Sequence, residues 1–316
     1  MHRSRHLSLG ICFFLILLVI LLPRLYSLAQ DNFGKLPQRD TSKPVATKAQ
    51  ILNAWQKRQD AVKTFRFAWT EQQTHPKGWV PNPRFRQHEW LNIPGLLIDR
   101  SYTVAKTLAV EGNKMRYTYE LDRKEEPDGV RLKSTTGENK GLGVGRNYSY
   151  ISVFDGQMGK TRLSSLTDSP PAVISQTMTN VDAQNLDTRA IMMALRPLDP
   201  VMGHLLIDRA VTNEGRRFFK GRSTMILEER HDPSGWKTSL WIEPERDFLV
   251  NRYHVFFETK TIVEIDIDYV EDARWGWIPN GWRVSQMLDD GTTRLVSEAK
   301  VTSYSINQPI GIEEFQ

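Results

Sequence analysis

Phe65-Arg66-Phe67-Ala68-Trp69-Thr70 sets aromatic side chains at every second position, the period-two signature of a strand with one aromatic face. Just upstream, Thr47 and Gln50 have the spacing of a capping box, and Ile51, Leu52, Trp55 and Val62 follow at helical intervals. An amphipathic helix therefore leads into the strand. Downstream, Leu108 and Val110 pass through Gly112-Asn113 into Met115, Tyr117, Tyr119 and Leu121, and residues 148–154 turn at Asp155-Gly156 toward a short partner. Tight turns between alternating runs mean hairpins, hence antiparallel pairing.

The middle of the chain changes period. Asp187 is placed to cap a helix with Ile191, Met192 and Leu195 on one face, and Asp199-Pro200 restarts a second through Leu205, Leu206 and Val211. Beyond Gly221 strands return over 224–229, 237–242, 249–257, 262–269, 282–288, 293–300 and 301–306. Their connections, such as Pro233-Ser234-Gly235, Glu243-Pro244-Glu245 and Asp290-Gly291, are turn-like. Two stretches interrupt the pattern. Residues 74–94 carry Pro76, Pro81, Pro83 and Pro94, which exclude a central strand, and residues 125–145 read as a long exposed loop. The expected fold class is α+β, mainly antiparallel, with residues 47–316 as a single domain.

Arg3 and Arg5 precede an uncharged run over residues 7–22, followed by Pro23 and Ser27-Leu28-Ala29. As a helix that run would reach only ~24 Å, short of a ~30 Å hydrocarbon core. Residues 1–29 therefore read as a signal peptide cleaved after Ala29, the alternative being an uncleaved anchor. Residues 30–46 read as a flexible linker. Export also alters the charge balance. The chain has 42 Lys and Arg against 37 Asp and Glu, and removal of Arg3, Arg5 and Arg24 lowers the net charge from +5 to +2. A strong positive field for nucleic acid is then missing. The one cysteine, Cys12, lies inside the signal segment, which leaves no disulfide, thiolate or Cys-ligated metal in the remainder.

Catalytic signatures are equally sparse. His75, His88, His204, His231 and His254 include no pair at helical metal spacing. Glu264, Asp266 and Asp268 alternate with Val263, Ile265 and Ile267, the pattern of a solvated outer strand face. Asp289-Asp290-Gly291 fits a hairpin turn better than a calcium loop, and Gly141-x-Gly143-x-Gly145 lacks the strand-loop-helix setting of a nucleotide site. No Gly-x-Ser-x-Gly, P-loop or His-Glu-x-x-His occurs. No catalytic residue, metal or cofactor is expected. A triad assembled from distant residues, as in an exported hydrolase, is the one enzymatic alternative.

Several short motifs follow one another in a telling order: Ile51-Leu52-Asn53-Ala54-Trp55, Phe65-x-Phe67-x-Trp69, Phe154-Asp155-Gly156, Leu240-Trp241-Ile242-Glu243-Pro244, Val250-x-Arg252, Trp277-Ile278-Pro279 and Ile306-Asn307-Gln308-Pro309. This order, in an exported chain, resembles the LolA-type outer-membrane lipoprotein carrier superfamily. The resemblance implies a strongly curved, half-barrel sheet with an N-terminal helix and a mid-chain helical insert packed on its concave face. It also implies a periplasmic or cell-envelope protein with a cavity for acyl chains. Burying roughly 12 methylenes at about 0.8 kcal/mol each supplies on the order of 10 kcal/mol before association costs. Phe65, Phe67, Trp69, Tyr117, Tyr119, Ile191, Met192 and Leu195 are the expected lining. The expected function is reversible, non-catalytic binding of a lipid or lipoprotein acyl group, with an envelope protein as a possible delivery partner and only transient membrane contact if the leader is cleaved. The alternative is an envelope sensor or scaffold that binds proteins through the same fold with a filled core.

Overall fold

A computed structural model describes residues 46–76, 99–121, 148–156, 159–165, 172–176, 186–198, 212–231, 235–287 and 293–315. The expected signal peptide and nearly all of the linker, the loop over 125–145, the second mid-chain helix and the Asp289-Asp290-Gly291 turn lie outside these residues. Helix α1, Lys48–Ala61, begins with the capping box: the Thr47 side chain accepts from the Gln50 backbone, and Gln50 Oε1 accepts from Thr47 N at 2.7 Å. That exchange satisfies two otherwise orphaned donors. Its buried residues are Ile51 and Trp55.

The strands are β1 (Thr64–His75), β2 (Arg100–Glu111), β3 (Lys114–Leu121), β4 (Tyr148–Phe154), β5 (Gly159–Ser165), β6 (Ala172–Gln176), β7 (Thr212–Phe219), β8 (Arg222–His231), β9 (Trp236–Glu243), β10 (Leu249–Phe257), β11 (Lys260–Asp272), β12 (Gly276–Met287) and β13 (Thr293–Ile306). Helix α2, Leu186–Leu195, falls between β6 and β7. The 13 strands among the described residues form one sheet in the order β6-β5-β4-β3-β2-β1-β13-β12-β11-β10-β9-β8-β7. Every described pairing is antiparallel. The sheet thus consists of two meanders, β1–β6 and β7–β13, joined where β1 pairs with β13, Phe65 opposite Ile306.

The sheet curves. Nine strand-to-strand steps separate β4 from β8, about 43 Å if flat, yet Phe154 of β4 and Met225 of β8 belong to one core cluster with Ile51 and Trp55 of α1 and residues 190–195 of α2. A helix of ten residues is only ~15 Å long, so the strands must wrap around it. Bulges supply local bending: the register slips beside Ala68, Val250, Val255, Asp268 and Gln286, and an extra residue bends and twists its strand. At the β12–β13 approach, a Cβ on Gly281 would lie 2.7 Å from the Ala299 carbonyl oxygen, so only glycine fits there.

Three local expectations change. Asp187 lies inside the first turn of α2 rather than before it. Residues 293–300 and 301–306 are one strand, because the bulge beside Ala68 absorbs the irregularity, with Thr302 Oγ1 donating to the Ala68 carbonyl at 3.0 Å. Strands β6 and β7 were not expected at all; they are the two edges of the sheet. Edge strands need only one partner and are commonly short or charged, as Ala172–Gln176 and Thr212–Phe219 are.

Candidate functional site

Alternate residues of β1 face the helices. Phe65, Phe67 and Trp69 are each 1% exposed, and cross-strand partners extend their rows. Phe65 opposes Val110, which opposes Met115; Phe67 opposes Leu108, which opposes Tyr117; Trp69 opposes Lys106, which opposes Tyr119. Directly opposed residues share a face. The rings interlock, with centroids 5.9 Å apart for Phe65 and Phe67, 6.2 Å for Trp69 and Tyr117, and 5.3 Å for Trp69 and Trp282.

The helical wall of this concavity is α2, whose six consecutive residues from Ala190 to Leu195 are at most 2% exposed. Burial on every side is unusual for a short helix; an ordinary surface helix hides one stripe. Polar contacts hold it at both ends. Arg189 Nη1 donates to Tyr253 Oη at 2.6 Å, Arg58 of α1 donates to the Ala194 carbonyl at 3.3 Å, and Arg196 donates to the Gly112 carbonyl in the β2–β3 turn. Leu198 N donates to Gln59 Oε1 at 3.0 Å. The eight expected lining residues are brought together: seven are buried members of one cluster, and Tyr119, half-buried, packs against it.

The aromatic stripe does not continue to the end of β1. Glu71, Gln73 and His75 occupy the next positions on the same face and are buried as well. Glu71 Oε2 lies 2.6 Å from Lys106 Nζ, with neither side chain exposed, and Gln73 Nε2 donates to Glu71 Oε1 at 2.7 Å. Lys106 also sits 5.2 Å from the centre of the Tyr119 ring. An ion pair withdrawn from water costs much of what its attraction returns, so this polar end is a distinct feature of the concavity. Sequence reasoning passed over it, although residues 65, 67, 69, 71, 73 and 75 share one period-two face.

The outer face is polar. Arg252 grips Asp266 through Nε at 2.5 Å and Nη2 at 2.8 Å, and His254 Nε2 lies 2.8 Å from Glu264 Oε2. The hydrogen bond from His254 and the nearby charge of Arg252 hold the Glu264 carboxyl below its ordinary range, against the opposing effect of burial. The expected solvated carboxylate face is thus an outer face laced with ion pairs. Near β1 and β2 the 3-10 turn Ile312–Phe315 lies across it, anchored by Arg66 Nη2 to Glu314 Oε2 at 2.6 Å. A cavity of about 310 Å³ opens there among Arg66, Arg116, Glu314, Thr107 and Ser303. Phe67, Ala68, Leu108, Ala109 and Tyr304 also line it, so its walls mix charged and apolar side chains. Among the described residues no group of three His, Cys, Asp or Glu side chains is placed to hold a metal ion, and no helix is long and apolar enough to cross a membrane.

An open, curved antiparallel sheet with helices in its concavity is the architecture expected from the sequence. No protein-family model matches the chain, and no curated protein sequence matches it. Among solved structures, the chain is similar to a DUF1329 family protein from Desulfovibrio piger, with 9% identity, a TM-score of 0.49, and 85% of this chain and 95% of that one covered. It is also similar to a protein described as an outer-membrane lipoprotein-sorting domain from Vibrio parahaemolyticus, with 9% identity, a TM-score of 0.47, and coverage of 84% and 94%. A LolA superfamily protein from Nitrosomonas europaea gives 11% identity, a TM-score of 0.42, and coverage of 86% and 98%. Likeness at this level concerns the course of the chain and says nothing of what it binds.

Proposed function

We propose that the chain is an exported, non-catalytic binding protein of the bacterial cell envelope that reversibly takes up a lipid or lipoprotein acyl group between its curved sheet and its helices. One observation carries this reading: α2 is apolar and buried on all sides, yet most of its polar anchors are side-chain bonds at its two ends. A plug of that kind occupies the space an acyl chain would need and can leave without unzipping the sheet. The lining is then Phe65, Phe67, Trp69, Tyr117 and Tyr119 on the strands, exposed to ligand when Ile191, Met192 and Leu195 withdraw. Nothing in this exchange requires a catalytic group. Export rests on residues 1–29, with the mature protein in the periplasm and contact with the membrane limited to loading and delivery.

The near-complete burial of the same side chains favours a second reading, in which the interior is a permanent core and the fold serves as an envelope sensor or scaffold for protein partners. Mass spectrometry of organic extracts from protein purified without detergent, together with titration of a fluorescent fatty acid, separates the two. Co-purified lipid or saturable uptake supports the carrier. A compact, cooperatively melting protein that yields no lipid and takes up no fatty acid sinks it and leaves the scaffold.

A further inference from the structure

The sheet is split one strand away from the aromatic stripe of β1. Strands β12 and β13 pair only from Gly281, opposite Lys300, to Met287, opposite Thr293. Toward the β11–β12 turn they part. Among the described residues, the stretch 276–279 pairs with β11 alone and the stretch 301–306 with β1 alone. Pro279 falls in the parted stretch, as a residue without an N–H does at a strand edge. The sheet thus carries an internal slot that no hydrogen-bonded ladder closes.

A side chain bridges that slot. Tyr304 of β13 opposes Phe67 of β1, so both face the concavity. Their ring centres lie 5.7 Å apart with the planes inclined by 19°. Phe67 beneath is 1% exposed, whereas Tyr304 is 38% exposed. Tyr304 Oη donates at 2.7 Å to Oδ2 of Asp272, which ends β11 on the far side of the slot. The other carboxylate oxygen accepts from the backbone of Arg274 and Trp275 at 2.8 and 2.9 Å, and Trp275 packs against the main core cluster. The acceptor is therefore held in place. Swinging Tyr304 aside gives up one exposed hydrogen bond and one ring contact, while passage through a paired stretch of sheet breaks several ladder bonds at once.

We propose that this slot is a side entrance through which an acyl chain enters and leaves the concavity, with Tyr304 as its gate and Asp272 as the latch. The proposal rests on the carrier reading above and adds the route: withdrawal of α2 makes room inside, and the parted strands give the way in. Phe67 is then the first part of the lining that the chain meets.

The test measures access and exchange separately, in the full chain. Cys12 is the only cysteine, so Cys12→Ser with Leu108→Cys leaves one thiol, at a fully buried position opposite Phe67. Tyr304→Phe removes only the latch bond and should speed labelling of that thiol by methyl methanethiolsulfonate about two- to tenfold; Tyr304→Ala, which also removes the ring, should speed it by about tenfold or more. In stopped flow, with Leu108 restored, both variants should quicken uptake and release of a fluorescent fatty acid alike. Urea midpoints close to the parent's exclude general unfolding as the cause. Arg283→Gln, at an exposed pair on the same strands, should alter neither labelling nor exchange. Uptake by the parent with exchange rates indifferent to both Tyr304 variants overturns the entrance and leaves the carrier, whatever the labelling shows. No uptake by parent or variants overturns both, and quickening by Arg283→Gln equal to that of the Tyr304 variants overturns the gate.

Discussion

Trp55 and Phe248 are joined by one hydrogen bond across 193 positions of sequence, the indole Nε1 of α1 donating at 2.7 Å to the carbonyl of the β9–β10 turn. That turn is strained, since Asp247 and Phe248 both take left-handed backbone conformations, φ 53° and 57°, which cost a non-glycine residue about 1–2 kcal/mol each. Arg58 of the same helix donates to the Asp247 carbonyl and lies 3.1 Å from its carboxylate. Helix α1 therefore holds the turn in place. Trp55→Phe keeps most of the apolar volume and removes the bond, so urea unfolding should show a loss of about 1–3 kcal/mol. Amide exchange should quicken at Asp247 and Phe248. A variant as stable and as protected as the parent would show that the turn holds itself.

The Glu71–Lys106 pair makes a different kind of prediction. Lys106→Met strands a carboxylate in a buried site and should cost about 3–5 kcal/mol, whereas Glu71→Leu combined with Lys106→Met should recover most of that loss. A denaturant double-mutant cycle measures it. If the double variant is no better than the single ones, the pair is not a self-contained unit.

Met192 is fully buried on α2, so Met192→Gln would place an amide in the core and is a poor probe of binding alone. Met192→Ala is preferable. It should lower stability by about 2–5 kcal/mol through the cavity it leaves while raising fatty-acid uptake, because the vacated space lies where an acyl chain would enter. Lower stability with unchanged or weaker uptake would count against α2 as a displaceable plug.

Glu264 gives a pH signature. Its folded pKa lies below the ordinary value of 4.5, so its contribution to stability is present above that value and is lost as the pH falls through the folded pKa. The wild-type urea midpoint should therefore decline more steeply than that of Glu264→Gln below about pH 4.5. Parallel midpoint curves from neutral pH down to acid would remove the carboxylate from the account.

Much of the fold could be read residue by residue. Thr47 and Gln50 announced α1, Phe65-x-Phe67-x-Trp69 announced the central strand, and Asp155-Gly156 announced a hairpin, because in each case local chemistry and tertiary environment agree. Elsewhere they part. The edges β6 and β7, Ala172–Gln176 and Thr212–Phe219, show no clear period-two alternation of apolar and polar residues. Ala190, Met193 and Ala194 lie outside the stripe of Ile191, Met192 and Leu195, and nothing in their chemistry announces that α2 would be buried on every side. The Lys106 partner of Glu71 sits 35 positions away, and a cavity beside Arg246 and Asn251 draws on five strands, β7 to β11, and two turns. Such sites come into being only when the strands are set in register.

The seam between β1 and β13 bears on when this chain can fold. Phe65 pairs with Ile306, so the strand at the centre of the sheet waits for the last strand to be made, and contacts of such long range are the slow ones. Until then each meander ends in an unpaired strand, β1 on one side and β12 on the other, and exposed strand edges of this kind recruit other chains. The first half-sheet thus waits with β1 exposed throughout the synthesis of the second, Thr212 to Met287. A chaperone that shields β1 would protect the chain at its most vulnerable point.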